Sequence, residues 1–489
     1  MTRRLAVGTL GGFAAALLTP ASALAHGLIL KTDLPIPQWL FVWSAAVVLV
    51  VSFVTLATLW PAPRLAQLRA RPLWHYPPWL EPICGVIGIA LFVLVVYAGI
   101  VGSQITLDNF TPTWVYVIFW AGLAFTSLLF GDAFRPFNPW RAFARGVSWL
   151  SGRLRRGRPG AEPLDYPGWL GRWPAALGLL AYTWLELVYG TTSNSLPSLL
   201  AFLSLGYAAV QLVGMSLYGI DVWTDRADGF AVFFSLFGRL APLRWDADAK
   251  DQSGGEGKAG GGRVWLRAPF VGARDLDLLP GTLAMVIVMI GSTSFDGFSV
   301  STLWVNQNGL FYDLQSLFRS LGAGYVGADE LAGTVGLIAM IGLIAVLYRL
   351  GIGGMRTINS DYSNDQLARI FAHTLLPISA AYFVAHYFSL LAFQGQAVYS
   401  LVSDPLGNGT NLFGTANVDV DYSLLTGNLL WYVQVGALIV GHVAGLTLAH
   451  DRALTLYRRG RDAVRSQYWM LAVMITFTSL GLYVLSSTY

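Results

Sequence analysis

Ten apolar stretches, most of them near the length of one bilayer crossing, punctuate this chain: Trp39–Trp60, Ile83–Gly102, Thr113–Phe130, Pro174–Tyr189, Leu196–Tyr218, Leu279–Gly291, Leu331–Leu350, Ile370–Phe393, Leu429–Ala449 and Tyr468–Ser486. A hydrocarbon core needs roughly 20 apolar helical residues to span it. The pattern therefore predicts an all-α protein, a polytopic transmembrane helical bundle of about ten spans.

The polar positions between these runs agree with that reading. Of the 31 Lys and Arg residues, 27 fall in five loops that alternate spans place on one side: Arg64–Arg71, Arg135–Arg172, Arg226–Arg274, Arg349–Arg369 and Arg452–Arg465. Only Lys31 and Arg319 fall on the other side, and Arg3 and Arg4 open the chain. By the positive-inside rule the basic side is cytoplasmic, which predicts a bacterial inner-membrane protein with both mature termini in the periplasm.

Residues 1–25 read as a secretory signal peptide, with Arg3 and Arg4 as its basic region, Leu5–Leu18 as its apolar core and Ala23-Leu24-Ala25 as its cleavage site. Residues 26–489 then form a single transmembrane domain with cytoplasmic loops 131–173 and 219–278 and periplasmic loops 292–330 and 394–427. Within these loops, Gly229–Pro242 is apolar but short, and Asp228 and Arg239 flank or interrupt it, so it is expected to lie at the interface. Leu303–Leu321 carries Leu310, Phe311, Leu314, Leu317, Phe318 and Leu321 at helical spacing, as an amphipathic surface helix would. Gln394–Gly427 has turn chemistry, and Ser253–Gly262 has linker composition.

Composition narrows the chemistry. Hydrophobic residues make up 55% and charged residues 12%, too little polar surface to cover a water-soluble globule of this length. The expected partners are the lipid bilayer, anionic head groups at the basic loops and other membrane subunits, with no nucleic acid. Cys84 is the only cysteine, which excludes an intrachain disulfide, a thiolate zinc site and an iron–sulfur cluster. Lys258 follows a glycine-rich tract without the spacing, or the Ser or Thr after it, that a phosphate-binding loop requires. Tryptophans near span ends, Trp140 among them, read as an interfacial belt, and Phe134–Arg141 as a boundary anchor. Phe130-Gly131-Asp132-Ala133-Phe134 and Tyr218-Gly219-Ile220-Asp221-Val222-Trp223 form a weak internal echo.

Four of the six histidines lie on two neighbouring spans, His373 and His386 on the eighth, His442 and His450 on the ninth. A haem or a transition metal held between these helices would use His373, His442 and His450 as cofactor ligands, since neutral imidazole is a common ligand for both. His26, at the mature amino terminus, offers an amine and an imidazole and so resembles the histidine brace of copper monooxygenases; His386 is the one histidine near enough to that side to join it as a metal ligand. For transport, Glu186 near the outer end of the fourth span and His386 are the candidate sites for a proton or cation.

The segments Ala385-His386-Tyr387-Phe388 to Gly395-Gln396, Ser403-Asp404-Pro405-Leu406-Gly407 and Gly441-His442-Val443-Ala444-Gly445 to Ala449-His450-Asp451-Arg452 resemble those of large multi-pass membrane proteins of high-GC bacteria. The resemblance covers mainly the last quarter of the chain and implies a membrane fold without an activity. No motif of a nucleotide-driven pump, a protease, a glycosyltransferase or a haem-copper oxidase is present. The expectation is a transporter or permease-like carrier of a small solute rather than an enzyme. A haem- or metal-binding redox component and a non-catalytic scaffold subunit are the competing classes.

Overall fold

The structure is a computed structural model and describes residues 38–154, 162–189, 196–247, 261–306, 308–358 and 361–487. The signal segment, His26 and most of the glycine-rich linker lie outside the described residues. The rest is mostly helical, and among the described residues seven helical segments are long and apolar enough to cross a membrane.

In chain order the principal helices are α1 (Gln38–Leu59), α2 (Leu80–Val101), α3 (Phe110–Phe130), α4 (Pro139–Leu154), α5 (Trp173–Leu187), α6 (Pro197–Tyr218), α7 (Gly229–Gly238), α8 (Thr282–Ser299), α9 (Leu310–Ser320), α10 (Tyr325–Arg356), α11 (Leu376–Phe393), α12 (Gly427–Leu456) and α13 (Tyr468–Ser487). Each of the ten apolar stretches carries a helix, and those on the first, fourth and tenth are not among the seven. The sixth runs furthest past its expected end, because α8 continues through Ser292-Thr293-Ser294 to Ser299, beyond the apolar run that marks it in the sequence.

α8 and α11 form the centre of the bundle and are its most buried long helices. α11 packs most extensively on α12, where two glycines of one helical face let the backbones approach. A Cβ on Gly441 would lie 2.5 Å from the Pro377 carbonyl oxygen, and one on Gly445 would lie 2.8 Å from that of Thr374.

Hydrogen bonds gather the basic loops at one end of the bundle. Arg141 and Arg145 both reach Glu81, at 2.5 and 2.6 Å. Arg135 meets Asp225 at 2.5 Å, and Arg239 meets Asp277 at 2.9 Å. The Asp451 carboxylate accepts from Trp60 Nε1 at 3.1 Å and from the Arg64 amide at 2.7 Å. At the opposite end the Ser103 amide donates to the Leu406 carbonyl at 2.7 Å, and the Ser198 amide donates to Gln104 Oε1 at 3.1 Å.

A small antiparallel sheet joins the basic loops, with β3 (Gly262–Leu266) between β1 (Arg71–Tyr76) and β2 (Leu243–Ala247). Trp74 and Trp245 both face Val264 across the ladder, and Trp245 Nε1 donates to the Phe130 carbonyl at 2.7 Å, which ties the sheet to the end of α3.

The Gly229–Pro242 segment departs from its expected place at the interface. α7 is a ten-residue helix buried among α3, α5 and α11, with Phe233, Phe234, Leu236 and Phe237 at most 1% exposed. Asp228 makes this burial tolerable. It caps the helix by accepting from the Ala231 amide at 3.1 Å, and it also accepts from Asn138 Nδ2 at 3.1 Å, Trp140 Nε1 at 2.6 Å and the Tyr207 hydroxyl at 2.8 Å. Four donors compensate a carboxylate that would otherwise be prohibitive in this setting. The same contacts correct two readings: Trp140 is buried rather than part of the belt, and the Asn138–Arg141 segment clamps α7 from inside the fold.

The internal echo has a backbone counterpart. Gly131 and Gly219 each end a helix at positive φ, 96° and 90°, a region that residues with a Cβ rarely adopt, and a short helix follows each. On the opposite end, the amphipathic helix appears as α9, which packs on α10. Gln394–Gly427 is turn-rich as expected, with a 3-10 turn at Gln394–Ala397 leading into a short α-helix, Val398–Ser403, at its start.

Candidate functional site

Four helices converge on a buried polar centre in the half of the bundle away from the basic loops. α8 contributes Asp296 one turn before its end, and α11 contributes His386 and Tyr387. α5 contributes Tyr182 and Glu186, one turn apart and therefore on one face. α3 contributes Tyr116 and Trp120 from Trp114–Gly122, a stretch wound into wider π-helical turns. Such turns change which side chains a helix presents, and they recur at functional sites.

Asp296 is the hub. Its Oδ2 receives the Tyr387 hydroxyl at 2.8 Å and stands 2.8 Å from His386 Nε2. Only 1% of Asp296 is exposed, against 13% of the His386 side chain, so the pair runs from the protein interior to a more open face. The Glu186 carboxylate, itself 8% exposed, is close enough to Asp296 for the two charges to sense each other. Around them Trp120 packs against Tyr182 at 4.9 Å between ring centroids and against Tyr387 at 6.1 Å, and Tyr116 meets Tyr182 at 6.4 Å. The Tyr182 hydroxyl is buried without a hydrogen-bond partner.

Two carboxylates in an apolar interior cannot both stay charged without a proton, a cation or a cationic side chain to balance them. Here a histidine and a tyrosine stand on one of the two. The arrangement can take up and release a proton, or exchange it for a small cation.

Of the residues expected from sequence, the structure brings Glu186 and His386 into one centre. Asp296 was not among them. The other histidines have different surroundings. His450, 1% exposed, has Nε2 at 3.1 Å from the Trp60 carbonyl and Nδ1 at 3.1 Å from Gln467 Nε2, so it ties α12 to the loop after α1 and to the start of α13. His373 places Nδ1 2.9 Å from the Ile370 carbonyl and also contacts the backbone of Leu448 on α12. His442 is fully buried, with Nδ1 2.7 Å from the Leu438 carbonyl, Nε2 without a partner and its ring edge against Tyr382. Among the described residues no three His, Cys, Asp or Glu side chains are grouped as a metal ion would need. His26, the expected brace residue, lies outside them.

Comparison with protein-family models, with curated proteins and with solved structures finds no match to this chain.

Proposed function

We propose that the protein is a carrier of the bacterial inner membrane, coupled to protons or small cations, in which Asp296, Glu186, His386 and Tyr387 form the coupling centre. The observation that carries this reading is the pair of neighbouring carboxylates on α5 and α8, buried in the outer half of the bundle with His386 and Tyr387 on Asp296. Ionisable groups at such depth are expensive to keep and commonly mark ion or proton pathways. The reading counts α1, α5 and α13 as crossings, which gives ten spans. The basic end then faces the cytoplasm, the mature termini face the periplasm, and residues 1–25 act as a signal peptide. The expectation of anionic head groups at the basic end draws support from a cavity of about 340 Å³ lined there by Arg369 and by Arg349, which pairs with Asp365 at 2.5 Å. Kinship with the high-GC bacterial proteins would carry the centre to them through His386 and Tyr387.

The test is proton entry into proteoliposomes loaded with a pH-sensitive dye, under an imposed gradient, with a panel of amino acids, sugars, organic acids and inorganic cations outside. Wild type is expected to pass protons with at least one member of the panel. Asp296→Asn and Glu186→Gln are expected to abolish that flux, and Tyr387→Phe to reduce it. No flux with any solute would overturn the proposal. A redox or metal reading has one observation in its favour, the uncommitted Nε2 of His442. A reducible Soret band, or a stoichiometric metal, that disappears in His442→Ala on the same preparation would put that reading first.

A further inference from the structure

Beside the coupling centre lies a cavity of about 220 Å³ between α8, α10, α11, α12 and α13. Its wall is almost entirely apolar, with Phe298, Met340, Leu438 and Phe477 among the lining side chains. Three other lining residues, Leu303, Leu343 and Leu480, are 46%, 38% and 42% exposed on the outside of the bundle. The cavity therefore communicates with the surface that the bilayer would cover, so an apolar molecule dissolved in lipid can reach it without crossing water.

The polar side chains on this wall are Thr293, Ser294, Tyr382, His386 and Gln434, and they differ in kind. His386 already commits Nε2 to Asp296, which leaves Nδ1 for the cavity. A Cβ built on Gly297, another lining residue, would meet Nδ1 at 3.6 Å, so the missing side chain at 297 keeps that nitrogen open to the cavity. One turn earlier on α8, Ser294 also lines the cavity, and its hydroxyl is buried without a hydrogen-bond partner, so that rotation about its Cα–Cβ bond is what would bring it to a ligand. A hydroxyl on the ligand suits this wall in either state of the ring. It donates to Nδ1 of a neutral imidazole, or accepts from Nδ1 of an imidazolium, and it can pair with Ser294 as well. A carboxylate head would instead face the Asp296 and Glu186 charges, and a plain hydrocarbon would leave the Ser294 and His386 groups unsatisfied.

We propose that this cavity binds a membrane-dissolved long-chain alcohol, its chain entering between α8, α10 and α13 and its hydroxyl held by His386 and Ser294. The inference deepens the carrier reading, since it names the substrate class of a site that shares His386 with the coupling centre.

The test uses the full-length protein in lipid nanodiscs and two photoactivatable probes of equal chain length, each with a diazirine and an alkyne. One is a hexadecanol and the other the matching hydrocarbon. Saturable cross-links from the alcohol are expected on Thr293–Leu303, Leu343 and Leu480–Gly481, competed by unlabelled hexadecanol. His386→Phe should weaken alcohol labelling about five- to tenfold, the worth of one net hydrogen bond, and leave the hydrocarbon unchanged. Ser294→Ala, too small a change to perturb folding, should act in the same direction, and Gly297→Leu should remove labelling by filling the cavity. Equal labelling by both probes in the wild type, or labelling indifferent to all three variants at matched thermal midpoints, would overturn the proposal. The labelling is read without any flux. Wild-type proteoliposomes that pass no protons while labelling stays confined to the cavity would therefore sink the carrier reading and leave the binding site in place.

Discussion

Asp132 follows the glycine that ends α3 and is partly buried beneath α7, with Oδ1 accepting the Arg135 amide at 3.2 Å. Burial pushes its carboxyl up to about 6, and the nearby Arg135 guanidinium only partly offsets this. The unfolded chain releases that proton near the ordinary value of 3.8, so between about 4 and 6 the folded state binds more protons than the unfolded one. Stability owed to Asp132 is therefore present at acid pH, falls as the pH rises through this window and is level above it. The total is up to about 3 kcal/mol. Asp132→Asn, which stays neutral, should gain on the wild type across the same window, as thermal midpoints in detergent at stepped pH will check. A variant whose offset from wild type is flat with pH would remove Asp132 from the account. The same scale explains what could be read in advance. Glu186 and His386 stand in apolar runs, where a polar residue is conspicuous. Asp296 follows Ser292-Thr293-Ser294, a polar sequence that imitates the start of a loop, yet the helix continues through it, with the Thr293 hydroxyl bonded back to the Met289 carbonyl at 3.0 Å and Asp296 held by His386 and Tyr387 of α11.

Among the elements, the seven helices long and apolar enough to cross a membrane were legible because twenty apolar residues in a row have few other uses. α7 was not. An apolar ten-mer beside an aspartate has the same pattern whether it rests in an interface or is packed inside, and the donors that settle the matter, Asn138, Trp140 and Tyr207, are distant in sequence from the helix they hold. The α11–α12 contact lies between these cases, since Gly441 and Gly445 suggest a close approach without naming the partner. Gly441→Val would push a branched side chain into the Pro377 backbone, and overpacking of this kind destabilises by about 1–3 kcal/mol. A lowered thermal midpoint, with Val440→Ala on the exposed side of α12 nearly neutral, is the expected result. Equal effects at 440 and 441 would mean that the tight contact does not matter to stability.

For the whole molecule, the alternation of basic and non-basic loops is matched by the hydrogen bonds, which gather Arg64, Arg141, Arg239 and Arg274 at one end and Ser103, Gln104 and Leu406 at the other. Cys84 is buried, so a Cys84→Ser background permits single-cysteine mapping of the sides. With a membrane-impermeant maleimide on spheroplasts, Ser320→Cys at the end of α9 should label at once. Gly152→Cys on α4 should label only after permeabilisation, and the reverse order would invert the proposed orientation.

The sheet at the basic end also sets a schedule. His75 on β1 and its ladder partner Arg263 on β3 are 188 residues apart in the chain. A ribosome adding roughly 5–20 residues per second leaves β1 waiting about 10–40 seconds before β3 has been made. During that interval its backbone edge and the exposed Trp74 have no strand beside them. The first loop therefore stays unfinished until the helices before β3 have been made, and the pairing of β1 with β3 becomes a late step that ties the loop after α1 to the loop after α7.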